Sequence, residues 1–390
     1  MERNKVNFFN LLLQWGVFLC INLLFVCKYI PRVGFSPVLF AFLYCVCVIS
    51  CVVLYKCTIA KRINERIARN LVVALVITIL SVITMSIIMI DPLSIRVDRW
   101  SATSYFLDAL FNGVYPYSVH THVCETNFPS PFPLWHYFHI PFWLLGDVGW
   151  QLVFFLLLFL FALYYYFQSW LPVLSYILLL CISPAYWWEV LTRSDGLSNA
   201  LLAASCILYI ERKHLSMQDD WWRLALISGC VASTRLSAVI PLALYLFKPW
   251  LDTKWKEKLG FLSVTIGIVV LFFIPYIFWD VNNWIFFTRN PFITQALLGD
   301  KWLLLVMVGI AIYIAYKKQT FYYFISTTSA FMFAFMLISQ LGALFFSSAA
   351  PISFSDLYFD VSYLTLALPY TILVIIIKKN DSLKCKPSTP

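Results

Sequence analysis

The side chains that can do chemistry gather in a few polar islands of a very apolar chain. Asp98 and Arg99 follow about twenty apolar residues, Leu71 to Ile90. At a 3.6-residue period Asp98, Ser101, Tyr105, Asp108 and Asn112 share one face, and Trp100, Thr103, Leu107, Leu110, Phe111 and Val114 form the opposite stripe. Gly113 suits the position after a helix end, and Pro116 stops continuation. The spacing predicts an amphipathic helix at a membrane surface with its apolar stripe in lipid. Two roles fit Asp98: an N-cap on that helix, or a group with a function of its own.

Arg235 sits in the middle of a long apolar stretch. A cation facing lipid there costs several kcal/mol, so its side chain is expected in a polar cavity. A guanidinium fork suits phosphate oxygens, or a buried carboxylate such as Asp195. Asp195 itself fits either a helix cap or the lining of that cavity, with Arg193 beside it. His120-x-His122 and His136-x-x-His139 share one loop with Glu125. Such pairs can hold a divalent cation, but HxH and HxxH are loose patterns. No metal or other cofactor is expected, with a divalent metal as the alternative.

These islands need elements to position them. Of 390 residues, 62% are hydrophobic and 12% charged, against about a quarter charged in soluble domains. The composition predicts an all-α, multi-pass membrane protein with membrane lipid as its surroundings. Twelve spanning helices are expected, near 9–29, 36–55, 70–90, 149–168, 171–184, 196–211, 222–233, 237–249, 259–279, 301–316, 321–346 and 361–378. The pair 222–233 and 237–249 is expected to meet at Ser233-Thr234-Arg235. A first part, 1–69, holds a helix pair and a basic loop. A second, 70–390, holds the core with its outer loop at 91–134. The N-terminus reads as a retained first helix. The eleven cysteines fall mostly within apolar segments and form no CxxC pair, so they read as small hydrophobes.

The net charge of +9 does not indicate nucleic acid, because the cations are sorted by side. Twenty of the 28 lysines and arginines fall in alternate loops that include both termini. The positive-inside rule makes that side cytoplasmic. Most carboxylates fall on the other side, which is where chemistry is expected.

The order of these features resembles the GT-C superfamily of integral-membrane glycosyltransferases, in its bacterial branch dependent on polyprenyl-phosphate sugars (mannosyl- and arabinosyltransferases). The likeness rests on Asp98 after its apolar helix, on the G-x-x-P-Y turn Gly113 to Tyr117, and on a proline-aromatic run leading into a short helix, Phe128 to Leu145. It continues with Arg193-Ser194-Asp195-Gly196-Leu197 and with the G-x-x-x-S-x-R element from Gly229 to Arg235. It is strongest over 91–245. Two helices precede the family's usual first helix, and Arg99 stands where the family more often has an apolar or aromatic residue.

The resemblance implies transfer of a sugar from a polyprenyl-phosphate donor to a hydroxyl of a glycan, lipid or protein acceptor, outside the cytoplasm in a bacterial cell membrane. Asp98 is then the expected general base. Arg235, Arg99 and Arg289 are the expected ligands of the departing phosphate. Asp195, Arg193, Asp108, Tyr117, His120 and His122 are expected around the substrates. The rival readings are a transporter or flippase, which predicts duplicated halves, a polymerase of lipid-linked glycans, and a silent membrane scaffold.

Overall fold

The computed structural model of the chain describes residues 2–54, 63–282, 290–296, 301–317, 320–346 and 359–377. All regular structure among them is helical. The elements are α1 (Glu2–Tyr29), α2 (Pro37–Leu54), α3 (Glu65–Met89), α4 (Arg99–Phe111), α5 (Pro133–Leu144), α6 (Gln151–Phe167), α7 (Trp170–Cys181) and α8 (Pro184–Leu191). They continue with α9 (Gly196–Lys213), α10 (Trp221–Ala232), α11 (Leu236–Asp252), α12 (Trp255–Trp279), α13 (Pro291–Ala296), α14 (Lys301–Tyr316), α15 (Phe321–Phe346) and α16 (Leu368–Ile376).

Six of the described helical segments are long and apolar enough to cross a membrane: Phe9–Val33, Pro37–Leu54, Glu65–Met89, Val148–Phe167, Trp255–Trp279 and Phe321–Gly342. The pair α7 and α8, bent by 73° at Ile182-Ser183, makes a seventh if it is one span. This makes a multi-pass membrane protein with fewer full-length spans than the twelve expected. The difference is one of length. At 1.5 Å per residue, α10, with 12 residues, and α14, with 16, reach about 18 and 24 Å, short of the roughly 30 Å hydrocarbon core.

Contacts divide the chain into two compact units. One comprises 1–80, 163–188 and 319–390; the other comprises 81–162 and 189–318. In the first, the N-terminal helices pack with the C-terminal ones. α1 buries Phe18, Ile21 and Phe25, and α16 is buried from Leu368 to Val374. Polar groups inside it are bonded to each other: Gln14 Nε2 donates to the Ser326 carbonyl at 3.1 Å, and Ser329 Oγ donates to Gln14 Oε1 at 2.6 Å. Asn22 Oδ1 accepts from Ser183 Oγ at 2.6 Å, and the buried Lys28 ammonium donates to the Phe359 carbonyl. Glu65 caps α7, its two oxygens accepting from Ser169 Oγ and the Trp170 amide.

The second unit carries the polar islands. α4 ends as its sequence requires: Gly113 adopts φ +70°, and the Val114 amide closes back onto the Ala109 carbonyl at 2.9 Å. The helix is not a surface helix with one stripe in lipid. Both Leu107 and Phe106 are fully buried, as are Ser101 and Thr103. Leu107 and Phe106 pack in an aromatic core with Tyr115, Tyr117, Val148 and Tyr276. Only the tail of the stripe, Phe111 and Val114, is exposed. α10 and α11 part at Ser233-Thr234-Arg235, where Arg235 takes an extended backbone (φ −152°, ψ 148°). Ser233 Oγ and Thr234 Oγ1 donate to the last carbonyls of α10 and satisfy that helix end.

Candidate functional site

Asp98 occupies the N-cap position of α4 but does not cap with its side chain. Its backbone is already helical, at φ −84° and ψ −5°, which turns the carboxylate away from the first-turn amides. Oδ2 instead accepts from Asn127 Nδ2 at 3.1 Å, and Oδ1 makes no hydrogen bond among the described residues. The loop that brings Asn127 also brings His122. The His122 Nε2 lies 2.9 Å from the Ile95 carbonyl, which can only accept, so Nε2 carries a proton. Its Nδ1 lies 2.6 Å from Ser101 Oγ, and Ser101 Oγ is 3.0 Å from the Asp98 carbonyl. Asn127, on the half-buried Asp98 carboxylate, and His122, on Ser101, thus fasten one loop to the first turn of α4.

Arg99 engages different partners. Its Nη1 donates to Ser194 Oγ at 3.0 Å. The same nitrogen would lie 2.6 Å from a Cβ built on Gly196, with Glu189 Oε2 at 3.8 Å from that point. Glycine at 196 is therefore what lets the guanidinium lie against the start of α9. Glu189, fully buried, accepts from the Leu197 amide at 3.1 Å.

Asp195 is the centre of this cluster. Its Oδ2 accepts three hydrogen bonds: Trp135 Nε1 at 2.5 Å, Arg235 Nη2 at 2.5 Å and Arg235 Nε at 3.1 Å. Burial alone would raise its pKa. The charges of Arg235, Arg99 and His139, with the Arg235 hydrogen bonds, outweigh that and hold the carboxyl at about 2. Like Asp98, it stands at an N-cap position without a side-chain cap bond. The ion pair is nearly dry, with the Arg235 side chain 11% and the Asp195 side chain 3% exposed. Around it, Asn199 Nδ2 donates to Thr234 Oγ1, the Phe132 amide to the Thr234 carbonyl, and the Leu236 amide to Gln295 Oε1.

Two imidazoles complete the cluster. His136 is fully buried and stacks on Phe106, with centroids 3.6 Å apart and planes 6° apart. Among the described residues neither of its ring nitrogens makes a hydrogen bond of good geometry, the Pro131 backbone being the polar group that acts on the ring. His139 donates or accepts at Nδ1 with the Trp135 carbonyl, 2.7 Å away; that carbonyl only accepts, so Nδ1 holds the proton and Nε2 is a bare lone pair. Burial lowers both pKa values, with the neighbouring imidazole and Arg235 adding to the effect on His136 and Asp195 opposing it. Both rings are neutral near pH 7.

The remaining sequence candidates lie elsewhere. Arg193, with a left-handed backbone (φ 50°), pairs with Asp147 at 2.5 Å and donates to the carbonyls of Ser86, Ile87 and Ile90. It caps the C-terminal end of α3, a cation on the negative end of the helix dipole, and does not join the Asp195 cluster. Asp147 also holds Trp100 Nε1 and the Gly149 amide. Asp108 accepts from Trp143 Nε1 at 2.8 Å, and Trp143 stacks on Phe111. Tyr117 is buried in the aromatic core and donates to the Pro131 carbonyl at 3.0 Å. His120 is exposed beside Phe128. Arg289 falls outside the described residues.

The structure therefore unites Arg99, Asp195 and Arg235, and sets His122 beside Asp98. It adds Trp135, His136, His139, Glu189 and Ser194. His136 and His139 carried a sequence signal only as a metal pattern. Among the described residues no three His, Cys, Asp or Glu side chains converge as a metal site. Searches among family models, curated proteins and solved structures find no match to this chain.

Proposed function

We propose that this chain is a membrane glycosyltransferase that moves a sugar from a polyprenyl-phosphate donor to an acceptor hydroxyl on the extracytoplasmic face. The observation that carries the reading is the state of Asp98. It stands at a helix start next to a buried cluster of guanidinium and carboxylate groups, yet its own carboxylate is not used as a cap, and Asn127 leaves Oδ1 free to take a proton. A carboxylate held in this way suits a general base for an attacking hydroxyl. Arg99, adjacent in the chain, carries its charge toward Asp195 and Arg235, where the guanidinium groups outside their carboxylate contacts suit an oxygen-rich leaving phosphate.

Arg235 is less free for phosphate than the sequence suggested, since Nε and Nη2 are held by Asp195. Its Nη1 makes no hydrogen bond among the described residues and is the atom assigned to the donor. The long apolar helices supply the bilayer setting that a polyprenyl chain requires.

The test is transfer of radiolabelled sugar from polyprenyl-phosphate donors in membranes containing the full chain. Wild type should form a glycosidic product, and Asp98→Asn should fold normally but lose transfer by a factor of about 100 or more. Transfer by Asp98→Asn at the wild-type rate removes Asp98 from the reaction. Donor lipid that changes leaflet without any product favours the flippase reading instead.

A further inference from the structure

Four cationic side chains lie over aromatic rings at one end of the second unit. Arg223 sits over Trp222 (5.1 Å), Lys248 over Tyr316 (4.9 Å), Lys258 over Trp255 (5.1 Å) and Trp250 (5.8 Å), and Lys317 over Tyr313 (4.5 Å). Packing brings these residues to a common level. Trp221, at the start of α10, lies against Gly260 near the start of α12, 2.8 Å from where a Cβ would stand. Trp250 Nε1 reaches the Lys258 carbonyl at 3.5 Å, and Lys248 joins α11 to the end of α14. Lys254 and Lys256 stand exposed at the tip between α11 and α12.

The position relative to a bilayer follows from length. α12 has 25 residues and so extends about 37 Å, longer than the roughly 30 Å hydrocarbon core. The end suited to headgroups is the first turn, where Lys254, Trp255, Lys256 and Lys258 gather, and not the apolar last turn. The rings there are open to their surroundings: Trp255 is 72%, Tyr313 61% and Tyr316 59% exposed. The nearby carboxylates are occupied or turned inward. Asp220 is bonded to Arg223, Asp252 to Lys248, and Glu257 Oε2 is buried, while the exposed Asp219 accepts from Ser216 Oγ. Among the described residues Lys254, Lys256 and Lys258 have no carboxylate partner.

We infer that this rim binds anionic phospholipid headgroups. Lysine ammonium groups meet the lipid phosphates, and the tryptophan and tyrosine rings occupy the glycerol and upper acyl region. The surface is independent of the Asp98 and Asp195 sites and of the reaction assigned to them.

The test uses the full chain, purified in detergent and delipidated, with native mass spectrometry of bound lipid. The probes are phosphatidylglycerol and phosphatidylcholine with identical acyl chains. Wild type should bind phosphatidylglycerol roughly a hundredfold more tightly, and the preference should shrink with added salt. The Lys254→Gln/Lys256→Gln/Lys258→Gln variant should lose roughly a hundredfold in phosphatidylglycerol affinity, with phosphatidylcholine unchanged. The matching Lys→Arg triple variant should keep the preference. Equal binding of the two lipids by wild type overturns the inference. So does an unchanged preference in the Gln triple variant, or an equal loss of both lipids.

Discussion

Arg235 places both Nε and Nη2 on a single oxygen of Asp195, and Trp135 adds a third donor to that same atom, while Oδ1 has no hydrogen-bond partner among the described residues. One half of the carboxylate is thus saturated and the other half is left without a donor, while His136 and His139 lie within electrostatic range of the group. An arrangement so unequal is built around charge, because a buried carboxylate costs several kcal/mol unless cations surround it.

Removing one partner of this pair should be worse than removing both. Asp195→Leu leaves a buried guanidinium uncompensated and is expected to destabilise by about 3–5 kcal/mol. The double variant Asp195→Leu/Arg235→Met should recover much of that loss. Thermal unfolding of wild type, Asp195→Leu and the double variant in one detergent checks the order; a double variant less stable than Asp195→Leu contradicts it.

Acid should act in two windows. Asp195 is depressed from 3.8 to about 2 in the fold. Its stabilisation is present above the unfolded value and is lost as pH falls through about 4 toward 2. The two histidines are lowered from 6.5, so the unfolded chain takes up their protons first. Stability should therefore fall as pH drops below about 6.5. His136→Phe preserves a ring against Phe106 and removes one such group. Its unfolding temperature should change less than that of wild type between pH 7 and pH 5.

Gly196 and Arg99 should be energetically coupled. A Cβ at 196 would meet Arg99 Nη1 at 2.6 Å, so Gly196→Ala must push the guanidinium from Ser194. A loss of about 1–3 kcal/mol is expected. With Arg99 already truncated to alanine, the same Gly196→Ala change should cost much less. A double-mutant cycle measures this; additive losses would show that the contact is not responsible.

Much of the second unit was legible because its signals are local. The end of α4 at Gly113 and Pro116, the start of α5 at Pro133 and the break at Ser233–Arg235 rest on residues whose own backbone preferences act within a few positions. The apolar runs announced membrane helices for the same reason. Helix periodicity misplaced the surroundings of α4, because the pattern that marks an interfacial helix also marks one buried in an aromatic core. Leu107 and Phe106 are covered by Tyr117, from the turn just after the helix, and by Tyr276, which comes from distant sequence.

The sequence by itself determined that this chain is helical, apolar enough for a bilayer, and broken by polar residues at Asp98, Asp195 and Arg235. It did so because hydropathy, proline and glycine act at short range. Only the tertiary structure decided which charge meets which: Arg235 with Asp195, Arg99 against Gly196, Arg193 on the end of α3, and Asp98 with Asn127. Charge pairing follows from where packed helices aim their side chains, and that direction is fixed by contacts tens of residues apart, which no local pattern encodes.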